Sequence, residues 1–519
     1  MYHLKFNRTL LRTVIATSFA MAPALSFATV NDPVVLTFST VGDSRQDAAT
    51  PDASDVIPSM VGVGNCPVTT GTGSVPNPGL TGQDCKWLQN SAAWSRIISQ
   101  IQAQKSNLLF FNGDMILGYG LADVPVTRAS STTLNYTGSL TPAGVETVEA
   151  ITVSSAANIS NIVSSDLMQI YQQYGFWRGM VAPLIESGTY VVPVPGNHET
   201  ECKRCKSTVN NPNGTGTITV TKASQWQNEN AWRDNMGDLI IDQHRLGLAL
   251  APTGLSLTGT NLTAPSTTFS SPANIVTPQG TVNPDKITTP QNQLSYSFDV
   301  GSNHFAVINT DPTGNDSHAP SSWLDADLTA AVSKGASHLF VFGHKPAFYY
   351  CYAGAAPVAG PSSLWLADNT AANTFWNVIS KHNATYFAGH EHIYNVSQPA
   401  PSGQTASADN CSGLSFVNGS PNAANAAYQV IVGAGGSPFD DLESPVNTVS
   451  GVSPAPLGTL KSDRMYSWAT VSIHKSGTVT MNTYGFENII NTNQELNPGQ
   501  MYGMGPVQLL GTFTLPTAK

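Results

Sequence analysis

Short apolar runs alternate along the chain with stretches whose apolar residues recur at helical spacing. The stretch NDPVVLTFSTVGDSR reads as a buried strand ending in Gly42 and Asp43. Trp94, Ile97, Ile98 and Ile101 stand at i, i+3, i+4 and i+7, one stripe of a helix, and the chain then enters the strand NLLFFNGD. A second helical run, about residues 166 to 185, leads into the strand YVVPVPGNHE. A hairpin pattern in QLSYSFDVGSNHFAVINTD is followed by a helical run at 323 to 332 and the strand HLFVFGHKP. Phe375, Trp376 and Ile379 then precede the strand TYFAGHEH. Helix followed by buried strand, several times over, predicts an α/β fold with layered helices and sheet. No internal repeat of fixed period interrupts that plan.

Between these units lie segments rich in Ser, Thr, Asn, Gly, Pro and Ala, at about 50–83, 122–160, 206–224, 250–292, 353–372, 397–427 and 440–462, which read as long polar insertions. The strands share a further feature. Each ends in a short loop holding Gly with Asp, Asn or His: Gly42-Asp43, Gly113-Asp114, Gly196-Asn197-His198, Gly343-His344 and Gly389-His390. In open α/β sheets ligands gather beyond the carboxyl ends of the strands, so these loops are expected to meet on one rim.

Composition narrows what that rim could bind. The net charge is -10, charged residues make up 11% of the chain, and basic residues cluster only at the extreme N-terminus. Nucleic acid and anionic membrane surfaces, which need a basic face to displace counterions, are therefore excluded as expected partners. Lys5, Arg8 and Arg12, the apolar-to-small stretch TVIATSFAMAPALSFA, and small residues at Ser26 and Ala28 predict a cleaved signal peptide over residues 1–28. Residues 29–519 would form the exported domain, periplasmic or extracellular, with a mainly β C-terminal part, and no later stretch reaches the ~18 apolar residues of a membrane span. The six cysteines, Cys66, Cys85, Cys202, Cys205, Cys351 and Cys411, all fall in that domain and predict disulfides whose pairing the sequence leaves open. Cys202 and Cys205 have zinc-like spacing, but without a second such pair a local disulfide is the expectation.

The rim would hold Asp43, Asp114, Asn197, His344, His390 and His392, all oxygen or imidazole donors with no thiolate. Such donors suit Mn, Fe, Zn or Mg, and six of them exceed what one ion with an open position can use. Two divalent or trivalent ions fit better, with a carboxylate such as Asp114 between them. Paired ions lower the pKa of a shared water and hold a phosphoryl oxygen for in-line attack.

The ordered blocks GDSR, NGDM, GNHE, FGHKP and GHEH resemble the signature of the calcineurin-like metallophosphoesterases, the superfamily that includes the purple acid phosphatases; they span residues 43 to 392. The resemblance implies a four-layer α/β/β/α sandwich with a dinuclear site at the strand tips and hydrolysis of phosphate esters by a metal-activated hydroxide. By position, Asp43 and His392 would serve the first metal, Asp114 would bridge, and Asn197, His344 and His390 would serve the second. His198 would stay off the metals and stabilise the transition state or protonate the leaving oxygen.

Two departures stand out. Many members have Asp-x-His in the first block; here Arg45 stands third and cannot ligate. The first metal is then more weakly held, and Arg45 either forks onto substrate phosphate or makes a salt bridge at the pocket edge. The purple acid phosphatases place a metal-binding tyrosine three residues after the second-block aspartate, where this chain has Leu117, with Tyr119 two residues late. A tyrosinate-bound iron is not expected, and Tyr119 is left as a pocket wall or ligand. Glu199 is expected behind the ligands rather than among them.

Other candidates fall away. His244, His304, His318, His338, His382 and His474 lie outside the glycine-led loops. GAGGSPFD lacks the Lys-Ser/Thr of a phosphate loop, and no G-x-S-x-G follows a strand. Tyr349, Tyr350 and Tyr352 could line the site, though core packing is their expected use. The leading reading is a phosphomonoesterase acting on a small-molecule phosphate ester. A phosphodiesterase or nucleotide hydrolase on the same site, and a secreted binding protein that keeps the fold without catalysis, are the alternatives.

Overall fold

The computed structural model describes residues 32–46, 91–122, 139–140, 146–147, 165–202, 207–210, 217–220, 223–261, 284–348, 363–399, 427–437, 459–463, 465–486 and 505–519. Residues 1–28, where the sequence predicts the export signal, lie outside that set, as do Tyr349, Tyr350, Tyr352 and every cysteine but Cys202.

In chain order the strands are β1 Val34–Val41, β2 Leu108–Asn112, β3 Tyr190–Val194, β4 Leu257–Asn261, β5 Tyr296–Val300, β6 Asn303–Val307 and β7 His338–Phe342. There follow β8 Thr385–Ala388, β9 Tyr394–Ser397, β10 Tyr428–Val432, β11 Thr459–Asp463, β12 Tyr466–His474, β13 Val479–Phe486 and β14 Gln508–Thr514. The helices that matter for the site are α1 Ala93–Ala103, α2 Asp166–Glu186, α3 Trp226–Met236, α4 Gln243–Leu250, α5 Ser321–Ser333 and α6 Asn369–Lys381.

One six-stranded sheet runs β14-β13-β12-β1-β2-β3 and one eight-stranded sheet runs β4-β5-β6-β7-β8-β10-β9-β11. β1, β2 and β3 pair in parallel in the first; β6, β7, β8 and β10 pair in parallel in the second. The two sheets face one another across an aromatic layer. Phe38 of β1 meets Phe305, Phe340, Phe342 and Phe387 of the other sheet edge-on, at 4.9 to 6.0 Å between centroids. Phe110 of β2 stacks on Phe342 at 3.7 Å.

Strand alternation explains the remaining layers. In β7, Phe340 and Phe342 point into the inter-sheet core, while Leu339 and Val341 join Leu324 and Leu328 of α5 and Phe375 and Ile379 of α6 on the outer face. On the other side, Trp94 of α1 and Trp177 of α2 both pack edge-on against Phe111 of β2, at 5.0 and 5.1 Å. The result is an α/β/β/α sandwich, and strands covered on both faces read in the sequence as unbroken apolar runs for that reason.

The helical runs expected at 166–185 and 323–332 are α2 and α5. Several expected loops carry structure. The 250–292 segment contains β4, an edge strand of sequence LTGTN whose residues are half-buried or exposed, so it lacks an apolar face to betray it. The 122–160 and 206–224 segments carry small strand pairs, Ser139–Leu140 with Glu146–Thr147 and Ser207–Asn210 with Thr217–Val220. The 353–372 segment contains the turn Leu364–Ala367 and the start of α6, whose cap Asp368 accepts from the amides of Thr370 and Ala371. Helix α3 escapes the apolar pattern because its buried face includes Asn228, Glu229 and Arg233.

Among the described residues no helix is long and apolar enough to cross a membrane.

Candidate metal centre

All five glycine-led loops meet at the carboxyl ends of β1, β2, β3, β7 and β8. The turns are tight enough to force unusual backbone: Asp43, Asp114 and His390 lie at φ of 63°, 54° and 68°, in the left-handed region that costs non-glycine residues energy. Gly113, at φ 82°, cannot be replaced cheaply, since a Cβ there would stand 2.5 Å from His344 Nδ1 and 2.7 Å from the Cα of Gly196. Two loops can approach the Asp114 turn only because that side chain is missing.

Two groups of donor atoms result: Asp114, His344 and His390, and Asp43, Asp114 and His392, each within 4.8 Å of one another. Asp114 belongs to both, the position of a bridging carboxylate. In the first group His344 Nε2 lies 3.0 Å from Asp114 Oδ1, 2.8 Å from Asn197 Oδ1 and 3.1 Å from His390 Nδ1. His390 Nδ1 is 2.9 Å from Asn197 Oδ1. In the second, His392 Nε2 lies 3.5 Å from Asp43 Oδ1, and the His390 amide donates to both oxygens of Asp43, at 3.1 and 2.9 Å.

Tautomers favour ligation. His344 Nδ1 donates to the carbonyl of Asn112 at 2.8 Å, which leaves Nε2 as a bare nitrogen facing Asp114 and Asn197. The amide nitrogen of Asn197 donates to Tyr119 Oη (2.5 Å) and faces Glu201 Oε2 (3.4 Å), so its oxygen must point into the donor group. Lone pairs of Asn197, His344 and Asp114 thus converge on one point, an arrangement that repels unless a cation sits there. Cis ligands of an ion with bonds of about 2.1 Å stand about 3 Å apart, which these spacings match. The donors fit a metal, and the fit is closest for Asp114, Asn197, His344 and His390.

Asp114 is fully buried, which works against its charge, yet the neighbouring His198 and Arg45 hold its carboxyl well below the usual carboxylate range. Arg45 reaches Asp114 Oδ2 from Nε at 3.4 Å and Nη2 at 3.3 Å. Of the two uses open to Arg45, the pocket-edge salt bridge is therefore the one formed here. His198 donates from Nδ1 to the carbonyl of Leu117, and its Nε2 lies 3.5 Å from Asp114 Oδ2. Its ring faces Tyr119 with centroids 3.7 Å apart. Burial pushes the Tyr119 phenol up, so it stays protonated near neutrality.

Behind the donors stand residues that organise them. The Glu199 carboxylate accepts from the amides of Asp114, Met115, Ile116 and Gly196, at 2.8, 2.8, 3.2 and 2.7 Å, and so ties two of the loops together. Lys345, 1% exposed, donates to Glu201 (3.1 Å), Asp311 (2.5 Å) and Ser317 (2.7 Å). Sequence reasoning missed the Lys345, Asp311 and Glu201 cluster; the only signal was that Lys345 directly follows His344 in a block already singled out. The GAGGSP loop lies against the first-block turn, with the amides of Gly435 and Ser437 donating to the carbonyls of Gly42 and Asp43 at 2.9 Å. His244, His304, His318, His338, His382 and His474 lie outside both donor groups.

No family model matches the chain, and no curated protein matches it. Among solved structures it is similar to a purple acid phosphatase, PPD1, from yellow lupin (Lupinus luteus) seeds, at 12% identity and TM-score 0.43, over 93% of this chain and 53% of that one. It is similar to PhoD at 10% identity and TM-score 0.42, over 93% and 70% of the two chains. A dimetal phosphatase from Danio rerio matches at 11% identity and TM-score 0.34, over 87% and 97%. The chain thus spans about half the length of the lupin protein.

Proposed function

We propose that this protein is an exported, metal-dependent phosphoesterase, most simply a phosphomonoesterase acting on a small phosphate ester. The observation that carries the reading is the Asp114 carboxylate shared between two donor groups at the tips of parallel strands. A purple acid phosphatase and a dimetal phosphatase are among the solved structures to which the chain is similar.

In this reading Asp43 and His392 hold one ion, Asn197, His344 and His390 the other, and Asp114 both. Two ions bound there, of Fe, Zn, Mn or Mg, would lower the pKa of a water and offset charge on phosphoryl oxygens. The chain's own part is to place groups around the ester. His198, its Nδ1–H fixed on Leu117, presents Nε2 toward Asp114 and, when protonated, gives that proton to the leaving oxygen as the P–O bond breaks. Tyr119 packs on the His198 ring and limits its rotation. Arg45, 19% exposed beside Asp114, brings a positive charge to the pocket edge that would attract phosphate oxygens. The buried walls of the Asp114 and His344 loops keep bulk water from these groups, which strengthens each electrostatic contact.

The test is release of the chromophore by residues 29–519 with and without chelator, beside Asp114→Asn and His390→Ala, on matched mono- and diester chromogenic substrates. Loss of release in the chelated protein and both variants supports the reading, and the faster substrate decides between monoester and diester. Full release in all three preparations defeats the metal-dependent mechanism. Metal bound without release from any ester would favour a binding protein. Export is tested by cell fractionation: the protein, shortened at its N-terminus, should appear outside the cytoplasm.

A further inference from the structure

The two donor groups are unequal. Around His344 Nε2 three further donors, from Asp114, Asn197 and His390, stand at 2.8 to 3.1 Å, near the spacing of ligands on one ion. With His344 the group holds two imidazoles, one amide and one carboxylate, and Asp114 Oδ1 rather than Oδ2 is the oxygen that faces His344 Nε2.

The Asp43, Asp114 and His392 group is looser and already engaged. His392 Nε2 and Asp43 Oδ1 stand 3.5 Å apart. Both oxygens of Asp43 accept the His390 amide proton, at 3.1 and 2.9 Å. The Asp114 oxygen turned away from His344, Oδ2, faces Arg45 Nε and Nη2 at 3.4 and 3.3 Å. Arg45 cannot move its charge off: a guanidinium stays protonated, and its backbone is anchored by donation to the Asp114 carbonyl at 2.8 Å. An ion entering this group shares the Asp114 carboxylate with a fixed positive charge that lies against its Oδ2, and repulsion between the two cations lowers its affinity.

We propose that the Asp114, Asn197, His344 and His390 group holds a resident metal ion, while the Asp43, Asp114 and His392 group takes an exchangeable one whose affinity Arg45 holds down. This rests on the two-ion reading of the site given above, and it assigns Arg45 a role in metal occupancy that is separate from any contact with substrate. The protein would leave mild purification carrying one ion and would gain the other only at elevated metal concentration.

The test is calorimetric titration of the chelated, full-length protein with Mn2+ alone, paired with metal analysis of the untreated protein. The expected result is about one ion per chain before titration and two separate binding steps after chelation, the second weaker by about tenfold or more. Asn197→Ala should remove the tight step and His392→Ala the weak one. Arg45→Gln, which keeps a hydrogen-bonding head without the charge, should tighten the weak step by about tenfold and narrow the gap, whereas Arg45→Lys should keep it. Two equal steps in the wild type, or an Arg45→Gln gap equal to the wild-type gap, overturn the proposal while leaving a two-metal site intact. If the wild type binds no Mn2+ in either step, the proposal and the metal-dependent reading both fall. The wild-type isotherm decides the matter even should a variant fail to fold.

Discussion

Of two buried clusters of histidine and carboxylate among the described residues, one is complete as it stands and the other has the donor pattern of a metal site. At the start of β6, His304 donates from Nδ1 to Asp299 at 2.6 Å and from Nε2 to Asp327 at 3.0 Å, while Ser297 and Asn261 also donate to Asp327. Both ring nitrogens of His304 meet a carboxylate oxygen, so the cluster is complete as an ion pair. At the strand tips, His344 has spent its N–H on Asn112, and its bare nitrogen faces the oxygens of Asn197 and Asp114. Acceptors face acceptors, and the proposed metal ion would supply the missing partner. Counting donors against acceptors separates a structural histidine from a ligating one more sharply than burial does, since both residues are buried.

The largest expected effect comes from the shared carboxylate. Asp114→Asn should lower phosphate release by about 10²–10³-fold or more and abolish at least one metal-binding step, because it weakens both donor groups at once. His304→Asn should leave release within about threefold, as a cluster already complete has no part in the chemistry. If the two variants lose equal activity, the comparison fails.

Next in size is Lys345→Met. It strips the ammonium from between Asp311 and Glu201, both buried, and should cost about 3–5 kcal/mol in denaturant unfolding, as breaking one side of a buried ion pair does. Metal added at saturation should not restore that loss, which sets this network apart from the donor groups.

His304 itself gives a pH signature. Burial disfavours its charged ring, but the hydrogen bonds and charges of Asp299 and Asp327 outweigh that and push it up to about 9. An unfolded histidine titrates near 6.5, so folding favours the protonated form. The contribution is fully present below about pH 6.5 and is lost as pH rises through about 9, up to roughly 3 kcal/mol in all. Chemical denaturation from pH 6 to 10 should show stability falling over that window in the wild type and a flatter profile in His304→Asn. Parallel profiles would contradict the assignment.

The smallest effect is expected at Tyr119→Phe. The ring that packs on His198 remains, while the acceptor for the Asn197 amide goes. With that amide freer to rotate, metal affinity at the tighter step should fall by about tenfold, with the fold's stability little changed.

These contrasts also mark what the chain makes legible. The layers could be read because strands buried on both faces must be apolar throughout, as HLFVF of β7 is, and because α1 shows its Trp94, Ile97, Ile98 and Ile101 stripe. The meeting of the loops could be read because a side chain set at a strand tip needs a tight turn before it, so glycine and donor stand side by side in the sequence. Helix α3 was hidden by the polar residues on its buried face, and β4 by its position at a sheet edge. The Lys345 cluster was hidden for another reason. Its partners Glu201 and Asp311 come from loops after β3 and β6, and only the folded chain brings them within reach. Arg45 was visible as a residue that cannot ligate, but its pairing with Asp114 depends on two loops 69 residues apart.

The most direct test of the central claim is phosphate release by chelated protein as one divalent metal is added back in counted equivalents. The account predicts no release without metal, a rise as ions are added, and a plateau at about two ions per chain. Release at its full rate before any metal is added would contradict it.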